Sequence, residues 1–300
     1  MALYLITICW NLFSLAIILA YIYTTYGNKA PGIAAVKNLF YYGKVRGHGN
    51  HKLMGSFAQV PKRWFAHFYI VCVVCTAVVT VTTIHVTMTS STWPHFMGLV
   101  LDHLRYPQTE GDITDVMPVI LVLLLELVQG CRRTYECLYI SSYSKSTISI
   151  PVYLTGILFY ASIGLSLVVP LQGGDFVIGQ IHWNQFLGTL LFGWASFKQH
   201  KIAKIFAKLR QNKTGTVMNH EHHVPHGDLF EYVSCPHYLL EILIYFSFFV
   251  ICGINHPVCL SIFLFVLSNQ TIAGYITHIW YQQKFPKYPR SKTAVFPFFL

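Results

Sequence analysis

Charged residues are scarce in this 300-residue chain. Only 11% of the residues are Asp, Glu, Lys or Arg, whereas 54% are hydrophobic. A soluble globular domain carries about 25% charged residues. The composition therefore excludes an ordinary soluble domain and favours an integral membrane protein.

The chain also lacks the short motifs that mark several classes of enzyme. It contains no G-x-G-x-x-G, no P-loop and no G-x-S-x-G. These absences leave a Rossmann cofactor domain and a serine hydrolase without support. The formal net charge is +10, but no nucleic-acid-binding module accompanies it, so we predict no nucleic-acid partner. Nothing in the sequence indicates an obligate protein partner.

Seven apolar runs are long enough to cross a bilayer, which takes about 20 residues of helix. They lie at 3–24, 66–88, 114–137, 152–172, 181–199, 237–254 and 257–281. The fifth run is the weakest because its last residues are polar, so six spans remain an alternative. No linker, low-complexity tract or internal repeat divides the chain, and we therefore predict a single membrane domain over residues 1–300.

Positive charge is confined to alternate connections between these runs. Twenty of the 21 lysines and arginines follow the first, third, fifth and seventh runs, and Arg105 is the exception. Cytosolic segments retain Lys and Arg. We therefore predict an all-α integral membrane protein with about seven transmembrane helices, a lumenal N-terminus and a cytosolic C-terminus.

Ionisable residues cluster where the third run ends. Glu126 and Arg133 share a helix face with Gln129 between them, and Glu136 lies within pairing distance of both Arg132 and Arg133. One interpretation is a membrane anchor with a structural ion pair. The other is an anion site, in which an arginine binds phosphate and Glu136 holds its guanidinium in place.

Four histidines fall within seven residues at 220–226. Their spacing matches no closed zinc site and the H-E-x-x-H pattern is absent, so we predict no metal. We interpret these histidines as partners for a phosphate or nicotinamide group. The eight cysteines lie mostly in or beside apolar runs, and we interpret them as small packing residues.

Polar residues also recur in the last two runs. His237 and Glu241 are one helical turn apart, so they share a face. The final run contains Asn269, Gln270 and Thr271, followed by His278 and Tyr281 on one face, which together form a polar stripe. Such a stripe in a membrane helix either lines a cavity or bonds to a neighbouring helix.

Four segments, taken together, resemble the steroid 5-alpha-reductase family, and within it most closely the polyprenal reductase branch. The segments are Val60–Tyr69, Arg132–Tyr139, Pro225–Tyr238 and the tail from Trp280 to Phe298. Residues 1–55 form a divergent N-terminal helix and basic loop. Residues 120–300 form the reductase core, in which the resemblance is most specific from 222 to 300.

This resemblance implies an NADPH-dependent, multi-pass reductase of the endoplasmic reticulum membrane. Its reaction would be reduction of the α,β-carbon double bond of a long-chain polyprenal to dolichal, in dolichol synthesis for protein N-glycosylation. Two alternatives keep the chemistry but change the substrate to another lipid enone, such as a 3-oxo-steroid, or to an enoyl-CoA. A third, from another class, is a seven-helix receptor or transporter, whose intramembrane polar residues would form a ligand path.

The resemblance also implies candidate site residues, to which we add Arg210 and Lys292 as cations that could hold the charged groups of the cofactor. The catalytic candidates are Gln59, His237 and Tyr281. The cofactor-binding candidates are Arg133, Gln199, Arg210, His222, His223, Glu241 and Lys292. Gln59 stands where the steroid branch has a glutamate, and Gly130 stands where that branch has its partner tyrosine. Because a glutamine cannot transfer a proton, we expect a histidine or tyrosine to be the proton source.

Overall fold

The computed structural model describes residues 4–26, 36, 58–105, 115–143, 146–171, 177–210 and 223–299. Eight α-helices, seven long and one short, run through these residues. They are α1 Leu5–Tyr26, α2 Phe65–Thr89, α3 His95–Arg105, α4 Met117–Tyr135, α5 Ile150–Val168, α6 Trp183–Lys208, α7 Pro236–Cys252 and α8 Pro257–Lys284. Short 3-10 turns at Lys62–Trp64 and Asp228–Glu231 precede α2 and α7, and a π-helical turn at Glu136–Ile140 follows α4.

The predominantly helical architecture predicted from the sequence is confirmed. Four described helices are long and apolar enough to cross a membrane, namely α1, the continuous Lys62–Thr89, α5 and α8, and α7 is a shorter apolar helix. Every predicted apolar run overlaps one α-helix. The short α3 was not predicted, and α6 continues to Lys208, beyond the end predicted at residue 199. The count of seven spans and the orientation stay predictions.

The bundle contains two sets of three helices. α2 packs against α4 and α5, while α7 packs between α6 and α8. α1 lies on α8, where the Trp10 ring is 5.3 Å from that of Phe265 and 5.6 Å from that of Phe159 on α5. The indole N–H of Trp10 also donates to Ser166 Oγ at 3.3 Å. The first helix is therefore an integral part of the core.

A two-stranded antiparallel ladder closes one end of the bundle. β1 (Gln59–Pro61) pairs with β2 (Thr147–Ser149), with Val60 opposite Ile148. The next backbone N–H, that of Lys62, donates to the Ser146 carbonyl at 3.0 Å. This pairing fixes the start of α2 against the segment that leads into α5, although the two are more than 80 residues apart in sequence.

At the opposite end of the bundle, charged and polar side chains form hydrogen bonds with backbone carbonyls. Arg105 is buried, and its guanidinium donates to the carbonyls of Val169, at 3.0 Å, and Leu171, just beyond the last turn of α5. His256 is also buried, with Nε2 3.1 Å from the Leu167 carbonyl. These carbonyls lack partners within their own helix. The one arginine that departs from the charge pattern is thus a helix cap.

One group among the described residues has a spacing that could suit a metal ion, formed by Cys252, His256 and Cys259. His256 Nδ1 accepts the backbone N–H of Cys259 at 3.2 Å, and Nε2 faces Leu167. Both ring nitrogens are therefore already bonded within the protein. Burial lowers the pKa of His256 to about 4, which keeps the ring neutral.

Candidate active site

A cavity of about 360 Å³ lies at the end of the bundle that carries the β ladder. Side chains from α2, α4, α5, α6, α7 and α8 reach it, together with residues of the segment that follows the π-helical turn. Because the lining residues come from so many elements, the cavity forms only when the whole bundle is assembled. Its lining is also unusually polar for the interior of an apolar helical protein.

Seven of the ten candidate residues line this cavity. They are Arg133, Gln199, Arg210, His223, His237, Glu241 and Tyr281. They are spread over about half of the sequence, so their convergence is a result of the fold rather than of proximity along the chain. His222 lies outside the described residues, and Gln59 and Lys292 are placed elsewhere.

The two neighbouring arginines of α4 share one buried carboxylate. Glu136 is fully buried; its Oε1 accepts from Arg132 and, at 2.8 Å, from His200 Nδ1, while its Oε2 accepts from Arg133. The predicted pairing of Glu136 with the arginines is therefore confirmed. Arg133 also donates to the Tyr69 hydroxyl at 3.1 Å, with its guanidinium 4.9 Å from that ring. These contacts hold Arg133 in a fixed position at the cavity wall.

Glu241 is held by a chain of amide side chains. The Gln199 side-chain N–H donates to Glu241 Oε2, and Gln199 Oε1 accepts from Arg132 and, at 3.1 Å, from Gln129. Gln129 in turn accepts from Arg132 at 2.7 Å. This network joins α4, α6 and α7, and it orients the Glu241 carboxylate beside the cavity.

Buried polar contacts between α4 and α7 continue one helical turn further from the cavity. Glu126 precedes Gln129 on α4 and is fully buried, and Tyr245 follows Glu241 on α7. Glu126 Oε1 accepts from Cys72 Sγ at 3.3 Å and from the Tyr245 hydroxyl at 3.5 Å. Among the described residues its Oε2 has no partner. The interface between α4 and α7 is therefore polar beyond the residues that line the cavity.

The C-terminal segment fixes Tyr281 from behind. The Tyr288 ring stacks on Tyr281 with centroids 5.3 Å apart, and the Tyr288 hydroxyl donates to Ser234 Oγ at 2.7 Å. Burial raises the pKa of Tyr288, so this hydroxyl stays protonated. His278 Nδ1 lies 2.6 Å from the same Ser234 oxygen. Hydrogen bonds and ring stacking therefore join the segment before α7 to α8 and the tail that follows it, beside the cavity.

The remaining candidates have other surroundings. Gln59 is exposed on β1 and accepts a hydrogen bond from Thr147 Oγ1 on the neighbouring strand. Lys292 is buried with its amine 5.9 Å from the Tyr288 ring, so it lies behind the tyrosine stack rather than on the cavity wall. The structure does not bring either side chain to the cavity.

Sequence reasoning missed several lining residues, including Lys62, Tyr69, Tyr160 and a group of serines. Lys62 lies in the 3-10 turn before α2, so helical spacing with Tyr69 does not predict its position. Lys62 and the serines are both placed by the β ladder, which joins segments distant in sequence. No local sequence signal marks them as lining residues.

Comparison with known proteins gives matches over most of the chain. Residues 146–300 match the family model described as 3-oxo-5-alpha-steroid 4-dehydrogenase. A polyprenal reductase of Xenopus tropicalis is 35% identical over 269 residues, covering 87% of each chain. Those of Ailuropoda melanoleuca and Danio rerio are 33% and 32% identical; the first alignment covers 89% of this chain and 87% of the relative, the second 99% and 98%.

Proposed function

This chain belongs to the steroid 5-alpha-reductase (3-oxo-5-alpha-steroid 4-dehydrogenase) family, and from that membership we propose that it is a polyprenal reductase. The reaction is reduction of the α,β carbon–carbon double bond of a long-chain polyprenal to dolichal, a precursor of the dolichol used in protein N-glycosylation. The observation that carries the proposal is the polar cavity, in which cations, a positioned carboxylate and two proton-bearing side chains converge.

The cavity residues fit NADPH as the cofactor. Arginine forms strong charge-assisted hydrogen bonds with phosphate groups, and Arg133 is held by Glu136 and Tyr69 so that it can bind one. Arg210, Gln199 and His223 line the same space. NADPH supplies the hydride for the β-carbon of the enone when it is bound.

Glu241 and Gln199 act as positioning residues in this account. The Gln199 amide fixes Glu241 through Oε2. Within the described part of the chain, the second carboxylate oxygen is available to accept a hydrogen bond from a ligand amide or hydroxyl. Because Glu241 is one turn after His237 on α7, the same helix orients a binding group and a candidate catalytic group.

His237 and Tyr281 are the candidates for proton chemistry. Addition of hydride to the β-carbon places negative charge on the carbonyl oxygen, and a preorganised hydrogen-bond donor in a site of low dielectric stabilises that charge. Either side chain can donate to this oxygen, and a proton then reaches the α-carbon. We assign these roles to His237 and Tyr281 in preference to Gln59, which points away to Thr147.

We further propose that the cavity faces the cytosol in an endoplasmic reticulum membrane crossed by seven helices, with the N-terminus in the lumen. Lys62, Arg133, Arg210 and Lys284 all lie at helix ends on the cavity side, which agrees with the retention of positive charge in the cytosol. A polyprenal can keep its hydrocarbon tail in the bilayer while its aldehyde end enters the cavity.

The test is turnover by microsomes that contain this chain. Polyprenal is supplied with NADPH or NADH, and the product is identified by mass spectrometry after conversion of aldehydes to oximes. The oxime step is needed because reduction of the carbonyl instead of the double bond gives an alcohol of equal mass. We expect a product heavier by two hydrogen atoms that still forms an oxime, with NADPH preferred.

Substrate alternatives are separated in the same experiment. A steroid enone and an enoyl-CoA are offered in parallel, because the chain matches the family model of 3-oxo-5-alpha-steroid 4-dehydrogenase. Turnover of either one without turnover of polyprenal would replace the proposed substrate. Absence of all three activities in folded protein would contradict the reductase proposal.

A further inference from the structure

We propose that Lys62 and Arg210, together with Ser141, Ser142 and Ser146, form a subsite for a phosphate group of the nicotinamide cofactor. This inference rests on the proposed function and assigns a role to one wall of the same cavity. The new elements are Lys62 and the three serines, which are not among the candidate residues named above.

The first argument is charge balance. Lys62, Arg133 and Arg210 line the cavity, and among the described lining residues Glu241 is the one carboxylate. Arg133 is paired with Glu136, a carboxylate that it shares with Arg132. Within the part of the chain that the structure describes, neither Lys62 nor Arg210 forms an ion pair. Cations withdrawn from water without a counter-ion are costly, so these two positions favour an anionic ligand.

The second argument is that both cationic residues donate a hydrogen bond to a backbone carbonyl of the segment that follows the π-helical turn. The Lys62 backbone N–H donates to the Ser146 carbonyl at 3.0 Å, and the Arg210 guanidinium donates to the Ser142 carbonyl. The segment therefore bridges the start of α2 and the end of α6. Ser141, Ser142 and Ser146 all line the cavity beside the two cations.

The third argument is the chemistry of this wall. A lysine ammonium, a guanidinium and serine hydroxyls are the donor groups that bind phosphate in proteins. The Lys62 amine lies 5.7 Å from the Phe65 ring, a contact that helps to position the amine without neutralising it. Burial lowers the pKa of Arg210, but a guanidinium remains charged at neutral pH.

NADPH carries two kinds of phosphate that this wall could bind. The pyrophosphate is shared with NADH, whereas the 2′-phosphate is absent from NADH. Binding of the two oxidised nucleotides, NADP⁺ and NAD⁺, therefore distinguishes the two sources. The measurement is of binding alone and does not depend on turnover.

The experiment uses the full chain in detergent and measures each dissociation constant by calorimetry. The variants are Lys62→Gln, Arg210→Gln and the charge-preserving Lys62→Arg. Arg63→Gln is the matched control, because it removes the same charge from the adjacent position, which is exposed and does not line the cavity. Thermal unfolding of each variant confirms that it is folded.

We expect Lys62→Gln and Arg210→Gln each to weaken NADP⁺ binding by about 10- to 100-fold, as for loss of one hydrogen bond between charged groups. Lys62→Arg and Arg63→Gln should bind like wild type. Unchanged NAD⁺ binding assigns the subsite to the 2′-phosphate, and equal weakening of both nucleotides assigns it to the pyrophosphate.

Wild-type affinity for both nucleotides in folded Lys62→Gln and Arg210→Gln would overturn the subsite. Polyprenal reduction by those variants would then persist, so the proposed function would stand without it. A folded wild type that binds neither nucleotide would overturn both proposals together.

Discussion

The two ends of the helical bundle use buried polar side chains in different ways. At the end far from the cavity, Arg105 and His256 bond to backbone carbonyls at and just after the end of α5. Asp115 accepts the backbone N–H groups of Met117 and Gly179, both at 3.0 Å. At the cavity end, Arg132, Arg133, Glu136, Gln199 and Glu241 bond mainly to one another.

This difference separates structural polar groups from candidate functional ones. A side chain that satisfies a helix end has a complete role within the protein. A network of side chains that positions charged groups around a cavity leaves donors and acceptors directed at a ligand. Burial and charge alone do not distinguish the two cases, since Arg105 and Glu136 are both buried.

The largest expected effect is on turnover at the cavity end. Tyr281→Phe removes one hydroxyl from the cavity wall, and we expect the rate of polyprenal reduction to fall by about 100- to 1,000-fold, as for loss of one oxyanion donor. The ring stack with Tyr288 is retained, so the thermal unfolding temperature should stay close to wild type. Product formation is followed by mass spectrometry.

Tyr275→Phe is the matched control for that prediction. Tyr275 lies on the same helix, does not line the cavity and contacts Tyr21 on α1. Normal turnover in Tyr275→Phe together with loss in Tyr281→Phe sharpens the contrast between site and scaffold. Near-normal turnover in Tyr281→Phe would remove Tyr281 from the catalytic assignment.

Glu136→Gln should reduce both stability and cofactor binding. The substitution leaves Arg132 and Arg133 without their shared carboxylate, so we expect the free energy of unfolding to fall by about 3 kcal/mol. Misplacement of Arg133 should also weaken NADP⁺ binding by about tenfold. Denaturant unfolding and calorimetry measure the two effects.

Asp228→Asn provides the comparison, because it breaks the Lys198–Asp228 pair, which is 2.9 Å long and partly exposed, without touching the cavity lining. We expect a loss of about 1 kcal/mol or less and unchanged nucleotide binding. If Glu136→Gln behaves like Asp228→Asn, the carboxylate does not position Arg133 as we infer.

Arg105→Met tests the opposite end. It removes two charge-assisted hydrogen bonds to the carbonyls after α5, and we expect the free energy of unfolding to fall by about 3 kcal/mol. Turnover per folded molecule should remain within about twofold of wild type, because the cap is remote from the cavity. Arg290→Met, at an exposed position, is the control. A selective loss of turnover in Arg105→Met would break the distinction between the two ends.

The smallest expected effect is a dependence of the free energy of unfolding on pH, caused by protonation of His256. Its pKa is about 4 in the folded protein because burial disfavours the charged ring, against 6.5 ordinarily. The unfolded chain therefore binds the proton first as the pH falls below about 6.5, and stability is lost until the pH nears 4. Between pH 7 and pH 5.5 the loss should be about 1 kcal/mol.

His256→Gln should lack this component, so the difference between wild type and variant isolates it. The free energy of unfolding is measured by denaturant titration at both pH values. An equal slope with pH in the two proteins would show that His256 titrates normally, and hence that it is not buried as a neutral cap.

Much of the helical architecture could be predicted from the sequence because apolar runs long enough to span a bilayer leave few alternatives. The boundaries were less predictable. α6 continues beyond residue 199 to Lys208, and Ile202 and Phe206 in its last turns line the cavity, as does Arg210 just after the helix. A hydropathy pattern alone does not contain that information.

The candidate site was predictable where polar residues recur at helical spacing. His237 and Glu241 both line the cavity, as does Tyr281 in the polar stripe of α8. Lys62 could not be assigned in this way, because its place depends on pairing of β1 with β2 across the sequence. Gln59 was chosen by its position in a motif, and the pairing of its strand directs it to Thr147 instead.

The most direct measurement of the central claim follows hydrogen from cofactor to lipid. Purified protein is given polyprenal and NADPH that is deuterated at both C4 positions of the nicotinamide, and the product is analysed as its oxime. The account predicts dolichal with one deuterium at the β-carbon, and loss of that product in Tyr281→Phe. Deuterium on the carbonyl carbon, or an unchanged yield in Tyr281→Phe, would contradict it.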